Sequence, residues 1–302
     1  MSEPIAKKSK GAVFASRLLS TCALWAVVVG VFVSGNSWAF VGLVLFLAIG
    51  GMAEFQAMFK AVPGAGSRVI GLVLGGMVIL TLGAYFALGR VGEFSDFSLE
   101  MAGLVFALIL GASWRFRHGI AGRESVEALS SGLLAYIYIP VLFGVFVLRL
   151  LFMPTEVAAA VPGAWLVLLM IVSAKFTDMG AYVTGSLIGK HKMSPRISPA
   201  KTWEGFFGAL FFAQGGAWGV WALAGDSLAW LAPLHVGVLG FLMALSAVAG
   251  DLVESVIKRS LDVKDSGAWL PGIGGVLDLI DSLCFAAPVM YFYLIVVKTG
   301  GF

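Results

Sequence analysis

The chain has 302 residues, of which 60% are hydrophobic and 12% charged, and its mean hydropathy is +0.97. Soluble domains carry about 25% charged residues. This composition therefore excludes a water-soluble enzyme, and the repeated apolar runs of about 20 residues indicate a polytopic membrane protein. A net charge of only +3 gives no ground for a nucleic-acid partner, although its distribution is informative.

Nine spans can be drawn, at roughly 16–34, 38–58, 68–89, 98–114, 131–152, 163–183, 205–224, 234–250 and 275–297. They predict an all-α, polytopic membrane helix bundle forming one domain over 1–302. The connections on one side hold Arg90 and Arg149 as their only basic residues. Lys7, Lys8, Lys10, Lys60, Arg68, Arg115, Arg117, Arg123, Lys190, Lys192, Arg196, Lys201, Lys258, Arg259 and Lys264 lie on the other. The positive-inside rule then puts the N-terminus in the cytoplasm and the C-terminus outside. The polar loops 115–130, 184–204 and 251–274 fall on the cytoplasmic side, where chemistry on a water-soluble substrate is expected.

The first span follows a basic stretch and ends in "SGNSWAF", which resembles a signal peptide. Its apolar core exceeds the usual 7–15 residues and a second span follows at once, so an uncleaved helix is expected. Cys22, in this span, and Cys284 in the last are isolated in apolar runs and read as inert core residues. The second span carries Glu54 in "GGMAEFQAMFK". An intramembrane carboxylate is either a functional group or the partner of a basic residue elsewhere in the bundle. Spans three and four are rich in Gly, Leu and Val and read as packing helices.

Ionisable residues concentrate from the sixth span onward. Lys175 and Asp178 are spaced to pair on one helix. The run "TDMGAYVTGSLIGKHKMSPRISPAKTWEG" at 177–205 then leaves the membrane. Gly180, Gly185 and Gly189 permit close backbone approach. Lys190, Lys192, Arg196 and Lys201 make a basic loop, and a helix can open at Thr202–Glu204. From charge alone this is either a loop obeying the positive-inside rule or a phosphate-binding loop assisted by a helix N-terminus.

The segment "GDLVESVIKRSLDVKDSGAWLPGIGGVLDLIDSL" at 250–283 is more telling. Asp251, Glu254 or Ser255, and Lys258 share one helical face. Asp278 and Asp281 share a face of the last span, near its cytoplasmic end. Two carboxylates so close repel unless a cation neutralises them. Mg²⁺ prefers carboxylate oxygen, and Asp251 would complete a metal site. The alternative is neutralisation by Lys258 and Arg259 alone. On the metal reading, the glycines before Asp278 let a polyphosphate approach the backbone.

Residues 255–281, "SVIKRSLDVKDSGAWLPGIGGVLDLID", resemble the signature of the phosphatidate cytidylyltransferase (CDP-diacylglycerol synthase) family. Ser255, Lys258, Arg259, Lys264, Asp265, Leu270, Pro271, Gly272, Gly274, Gly275, Asp278 and Asp281 fall in register with it. "GKHKMSPRISPAKTWEG" and Asp178 resemble a second block. The resemblance covers 175–285 closely and 1–160 less specifically, which makes 161–302 the catalytic portion.

The resemblance implies transfer of CMP from CTP to phosphatidic acid, giving CDP-diacylglycerol and pyrophosphate. It implies Mg²⁺ as cofactor, with K⁺ the candidate for a second ion. It implies Asp251, Asp278 and Asp281 as metal ligands, and Lys201, Ser255, Lys258 and Arg259 as holders of phosphates of CTP or lipid. Lys258, Arg259 and Asp278 become the catalytic set. CTP, phosphatidic acid and membrane lipids are the partners, a homodimer is a candidate assembly, and the inner membrane is the expected location. Ile273 and Leu279 depart from the family's His and Arg; the second change removes a bidentate phosphate donor. Two rivals remain: a diverged enzyme acting on another lipid phosphate or a prenol-type acceptor, and a secondary transporter, which would place its charges near the midplane.

Overall fold

The computed structural model describes residues 10–59, 66–90, 98–118, 122–155, 159–267, 269 and 274–300. Each of the nine expected spans forms a helix. In chain order these are α1 (Lys10–Ser34), α2 (Ser37–Met58), α3 (Gly66–Ala87), α4 (Ser98–His118) and α5 (Arg123–Leu151). They continue with α6 (Ala164–Ile188), α7 (Trp203–Ala224), α8 (Pro233–Ser260) and α9 (Leu277–Gly300). Seven of them are long and apolar enough to cross a membrane; Leu19–Ser34 in α1 and Leu99–Trp114 in α4 are shorter apolar stretches. Hydrocarbon offers the backbone no hydrogen-bond partner, so apolar runs of this length have little option but to satisfy their own amides as helices.

Local chemistry sets the boundaries. Asn36 caps α2, its side chain accepting from Trp38 N at 2.8 Å, and Gly35 turns the chain with φ +57°. "SGNSWAF" is thus the joint between α1 and α2. The fifth span begins earlier than expected, at Arg123, which pairs with Glu127 at 2.8 Å on an exposed first turn, so 123–130 of the expected polar loop is helical. Inside α5, Ile137–Val145 is a π-helical segment around Pro140. Proline lacks the N–H that the α-helical ladder needs, which makes it a natural centre for a local change of winding. Gly75 of α3 accommodates the Pro140 ring, which would lie 2.5 Å from a β-carbon there.

The core is formed by α2, α5, α6, α8 and α9, where Phe55, Tyr136, Leu148, Leu166, Met170 and Met290 are fully buried. Cys284 is buried as expected, whereas Cys22 is exposed on α1 rather than packed in the core. Arg149 is another correction. It is a buried residue near the end of α5, not part of an exposed connection. Its Nη2 and Nε donate to Glu100 Oε1 on α4 at 2.5 and 3.0 Å, and the guanidinium lies 5.8 Å from the Tyr291 ring centroid. Near the same end of the bundle, Ser37 Oγ donates to Ala160 O at 3.1 Å and Lys298 donates to Pro154 O.

At the opposite end, where the basic connections gather, a hairpin of β1 (Lys192–Ser194) and β2 (Ser198–Thr202) joins α6 to α7. The strands are antiparallel, pairing Lys192 with Thr202 and Ser194 with Ser198. The helical periods of the sequence give no sign of this hairpin.

Candidate active site

Close packing of α6 on α7 places the hairpin. A β-carbon on Gly180 would come within 2.6 Å of Phe212 Cβ, and one on Gly208 within 2.0 Å of Thr184 Oγ1. Glycine at these positions lets the two helices touch backbone to side chain. Thr202 caps α7 as expected, accepting from Gly205 N at 3.1 Å. Glu204, in the first turn, accepts from Lys190 N at 3.1 Å and lies 2.6 Å from His191 Nδ1. Trp203 N also donates to His191 O at 2.9 Å. These bonds bind the base of the hairpin to the helix start and bring Lys201 over α8.

Asp251, Glu254 and Lys258 share one face of α8, as their spacing requires. Lys201 Nζ lies 2.9 Å from Asp251 Oδ2, a short charge contact in which Nζ does not meet hydrogen-bond geometry. Ser255 Oγ donates to Asp251 Oδ1 at 3.3 Å. Lys258 Nζ bridges two carboxylates, donating to Glu254 Oε2 at 2.8 Å and to Asp278 Oδ1 at 3.0 Å. Lys175 and Asp178 do pair on α6, at 3.6 Å.

Most of these groups line one cavity of about 540 Å³. Asp178, Lys201, Asp251, Glu254, Lys258, Asp278 and Asp281 all contribute to its wall, beside Tyr182, Met193 and Phe206. The two sequence blocks therefore converge. Ser255 and Arg259 do not line the cavity. Arg259 is exposed, since one residue of helix rotates it about 100° from Lys258. Asp178 and Glu254, by contrast, are wall residues left out of the expected ligand and phosphate-binding sets. The signal for Glu254 was its spacing from Asp251 and Lys258.

Gly275, one of the glycines preceding Asp278, has a packing reason of its own. Gly275 is buried, and a β-carbon there would lie 2.4 Å from Ser266 Oγ and 2.5 Å from Glu54 Oε2. Its N–H donates to Asp278 Oδ2 at 2.9 Å. At Gly275, protein atoms fill the space that a side chain would take. Ile273 lies outside the described residues, and Leu279 packs against the hydrophobic core.

The wall fits a divalent cation by its charge. Five carboxylates face the cavity against two lysines. Glu254 Oε1 is buried without a hydrogen-bond partner, and Asp281 is 8% exposed. Among the described residues no three His, Cys, Asp or Glu side chains are gathered closely enough to hold an ion by themselves. Lys201 and Lys258 hold Asp251 and Asp278. An ion at this wall would therefore use one or two of the carboxylates and complete its shell with substrate phosphates and water, the mode Mg²⁺ commonly adopts.

A helical membrane protein with an acidic and lysine-lined cavity at one end of its bundle is the class these features define. The chain belongs to the Cytidylyltransferase family, whose model matches residues 15–297. It is 40% identical over 129 residues to the phosphatidate cytidylyltransferase of Mycobacterium leprae (strain TN), covering 43% of this chain and 40% of that protein. It is 46% identical over 120 residues to the phosphatidate cytidylyltransferase of Bacillus subtilis (strain 168), covering 39% and 43%. An uncharacterized protein of Escherichia coli (strain K12), YnbB, is 39% identical over 132 residues, covering 44% and 43%. These matches span about two fifths of each relative's length.

Proposed function

We propose that this protein transfers CMP from CTP to phosphatidic acid, releasing pyrophosphate and forming CDP-diacylglycerol. The observation that carries the reading is the convergence of the 177–205 and 250–283 blocks on one cavity with paired lysines and surplus carboxylates. Family membership and two relatives with this name support the same reaction.

A phosphate oxygen of phosphatidic acid forms a bond to the α-phosphorus of CTP. The bond from that phosphorus to the β-bridging oxygen breaks, and pyrophosphate leaves. The nucleophile is already ionised near neutral pH, so no protein base has to remove a proton. Catalysis is then a matter of position and charge. Lys201 and Lys258 exchange their carboxylate partners for phosphate oxygens, and Lys258 meets the charge that develops on the leaving group. Asp251, Asp278 and Asp281 would hold Mg²⁺ together with substrate phosphates, once the lysines have turned to those phosphates, and Glu254 Oε1 is a further oxygen of the same wall. The bound ion supplies neutralisation of the triphosphate and of the departing pyrophosphate. K⁺ is proposed as the second ion at this wall. Arg259, outside the cavity, attracts anionic substrate, and Ser255 orients Asp251.

Tyr182, Met193 and Phe206 give the cavity an apolar side, along which acyl chains can remain in the bilayer. The basic residues at this end favour a cytoplasmic orientation in the inner membrane. No observation favours the transporter alternative.

The test uses purified protein in mixed micelles with radiolabelled CTP and, in parallel, phosphatidic acid, lysophosphatidic acid and a prenyl phosphate, with and without Mg²⁺. Mg²⁺-dependent labelled CDP-diacylglycerol and equimolar pyrophosphate are expected. Product from the prenyl phosphate alone would overturn the acceptor, and no product from any lipid phosphate would overturn the reaction.

A further inference from the structure

Glu54 is more than 120 residues of sequence and several helices removed from either motif block, yet it lies against the second. It is 2% exposed near the end of α2, and among the described residues no basic side chain forms an ion pair with it. Among the described residues a backbone donor, not a basic side chain, meets this carboxylate. Its Oε2 accepts from Leu277 N, the first amide of α9, at 2.9 Å. The first amides of a helix have no intrahelical acceptor, so a carboxylate at that point both satisfies a donor and meets the positive end of the helix dipole.

Two glycines wrap the same carboxylate. A β-carbon on Gly267 would lie 2.2 Å from Glu54 Oε1, and one on Gly275 would lie 2.5 Å from Oε2. On the other side of the turn, Asp278 caps Gly275 N and receives Lys258. The start of α9 is thus fixed from two directions, by Glu54 on α2 and by Asp278 itself. Asp278 lies in the first turn of α9 and Asp281 one turn further on. Glu54 does not line the cavity and touches no group assigned to substrate.

We infer that Glu54 is a positioning residue that sets the rotation and height at which α9 presents Asp278 and Asp281 to the cavity. The inference rests on the proposed reaction for its kinetic consequences. It needs an acceptor oxygen at Leu277 N, not a negative charge.

Glu54→Gln keeps that acceptor, and Glu54→Leu removes it at similar volume. The leucine variant is expected to lose about 10- to 100-fold in kcat, the order seen when a supporting contact lets catalytic groups shift. Its KM for CTP should remain within about threefold of the parent, because both cavity lysines remain. The Mg²⁺ concentration giving half-maximal thermal shift should rise severalfold. The glutamine variant should remain near the parent in all three. Gly275→Ala, which drives a methyl group toward the Glu54 carboxylate and Ser266, should reproduce the leucine phenotype and replaces it if the leucine variant does not fold. Amide hydrogen exchange of the 275–279 segment is measured in parallel, and faster exchange in the leucine and alanine variants, but not in the glutamine variant, is expected. A glutamine variant as impaired as leucine, or parent-like kcat in both leucine and alanine variants, would overturn the inference. If the parent transfers no CMP, the proposed reaction fails, while exchange and the Mg²⁺ shift still decide the role of Glu54. Unchanged exchange and an unchanged Mg²⁺ shift would then reject it.

Discussion

Lys258→Met separates the stabilising role of Lys258 from its role in turnover. Its ammonium sits between Glu254 Oε2 at 2.8 Å and Asp278 Oδ1 at 3.0 Å. The side chains are 14%, 2% and 27% exposed in that order, so Glu254 is close to the fully buried case. Removing one partner of a buried ion pair costs about 3–5 kcal/mol, chiefly because the remaining charge is left uncompensated. The open side toward Asp278 places this variant at the lower end, about 3 kcal/mol. Turnover should fall by about 10²-fold or more, the scale of losing one donor to transition-state charge. Adding Glu254→Gln removes the stranded charge and should recover about 1–2 kcal/mol, within the coupling range of contacting groups. It should not recover turnover, because the missing donor to phosphate is still missing. Denaturation in detergent, read beside specific activity per folded molecule with CTP and phosphatidic acid, checks both halves. A double variant no more stable than Lys258→Met, or one with parent-like activity, would refute the reasoning.

Asp281→Asn should abolish Mg²⁺-dependent transfer while leaving the melting temperature without Mg²⁺ nearly unchanged, since among the described residues no lysine forms an ion pair with it; near-normal specific activity would exclude it as a ligand. Arg259→Ala should raise the KM for CTP a fewfold and cost far less turnover than Lys258→Ala, measured by steady-state kinetics at two ionic strengths. Arg149→Met should destabilise the bundle by about 3 kcal/mol through the stranded Glu100 carboxylate, with specific activity per folded molecule unchanged, because that pair sits at the end opposite the cavity. In a Cys22→Ala background, Lys192→Cys should label from the cytoplasmic side and Ala229→Cys from the other, by impermeant maleimide on sealed vesicles; the reverse pattern would invert the topology.

Much of this protein is legible without coordinates. All nine expected segments form helices, seven of them long and apolar enough to cross a membrane, because an apolar run that must satisfy its own backbone in lipid has few other conformations available. Helical spacing alone puts Asp251, Glu254 and Lys258 on one face, and Asp278 a turn from Asp281. The threonine before Trp203 announces the start of α7 by its capping chemistry. The resemblance of 255–281 and of the upstream block leads to the family that the whole-chain match establishes.

Tertiary structure decides what those faces meet. Periodicity defines a stripe on a helix but not the rotation of that stripe toward a neighbour, so Lys258 reaches both Glu254 and Asp278 while adjacent Arg259 points away. Arg149 looks like a loop charge until α4 brings Glu100 beside it. The glycines at 274–275 suggest a phosphate approach, yet Gly275 is packed against Ser266 and Glu54. The bond from Leu277 N to Glu54 crosses 223 positions of sequence. No local spacing rule reaches that far. A helix N-terminus offers the same unsatisfied amides to any acceptor, and only the packing of α2 against α9 determines that Glu54 is the one that arrives.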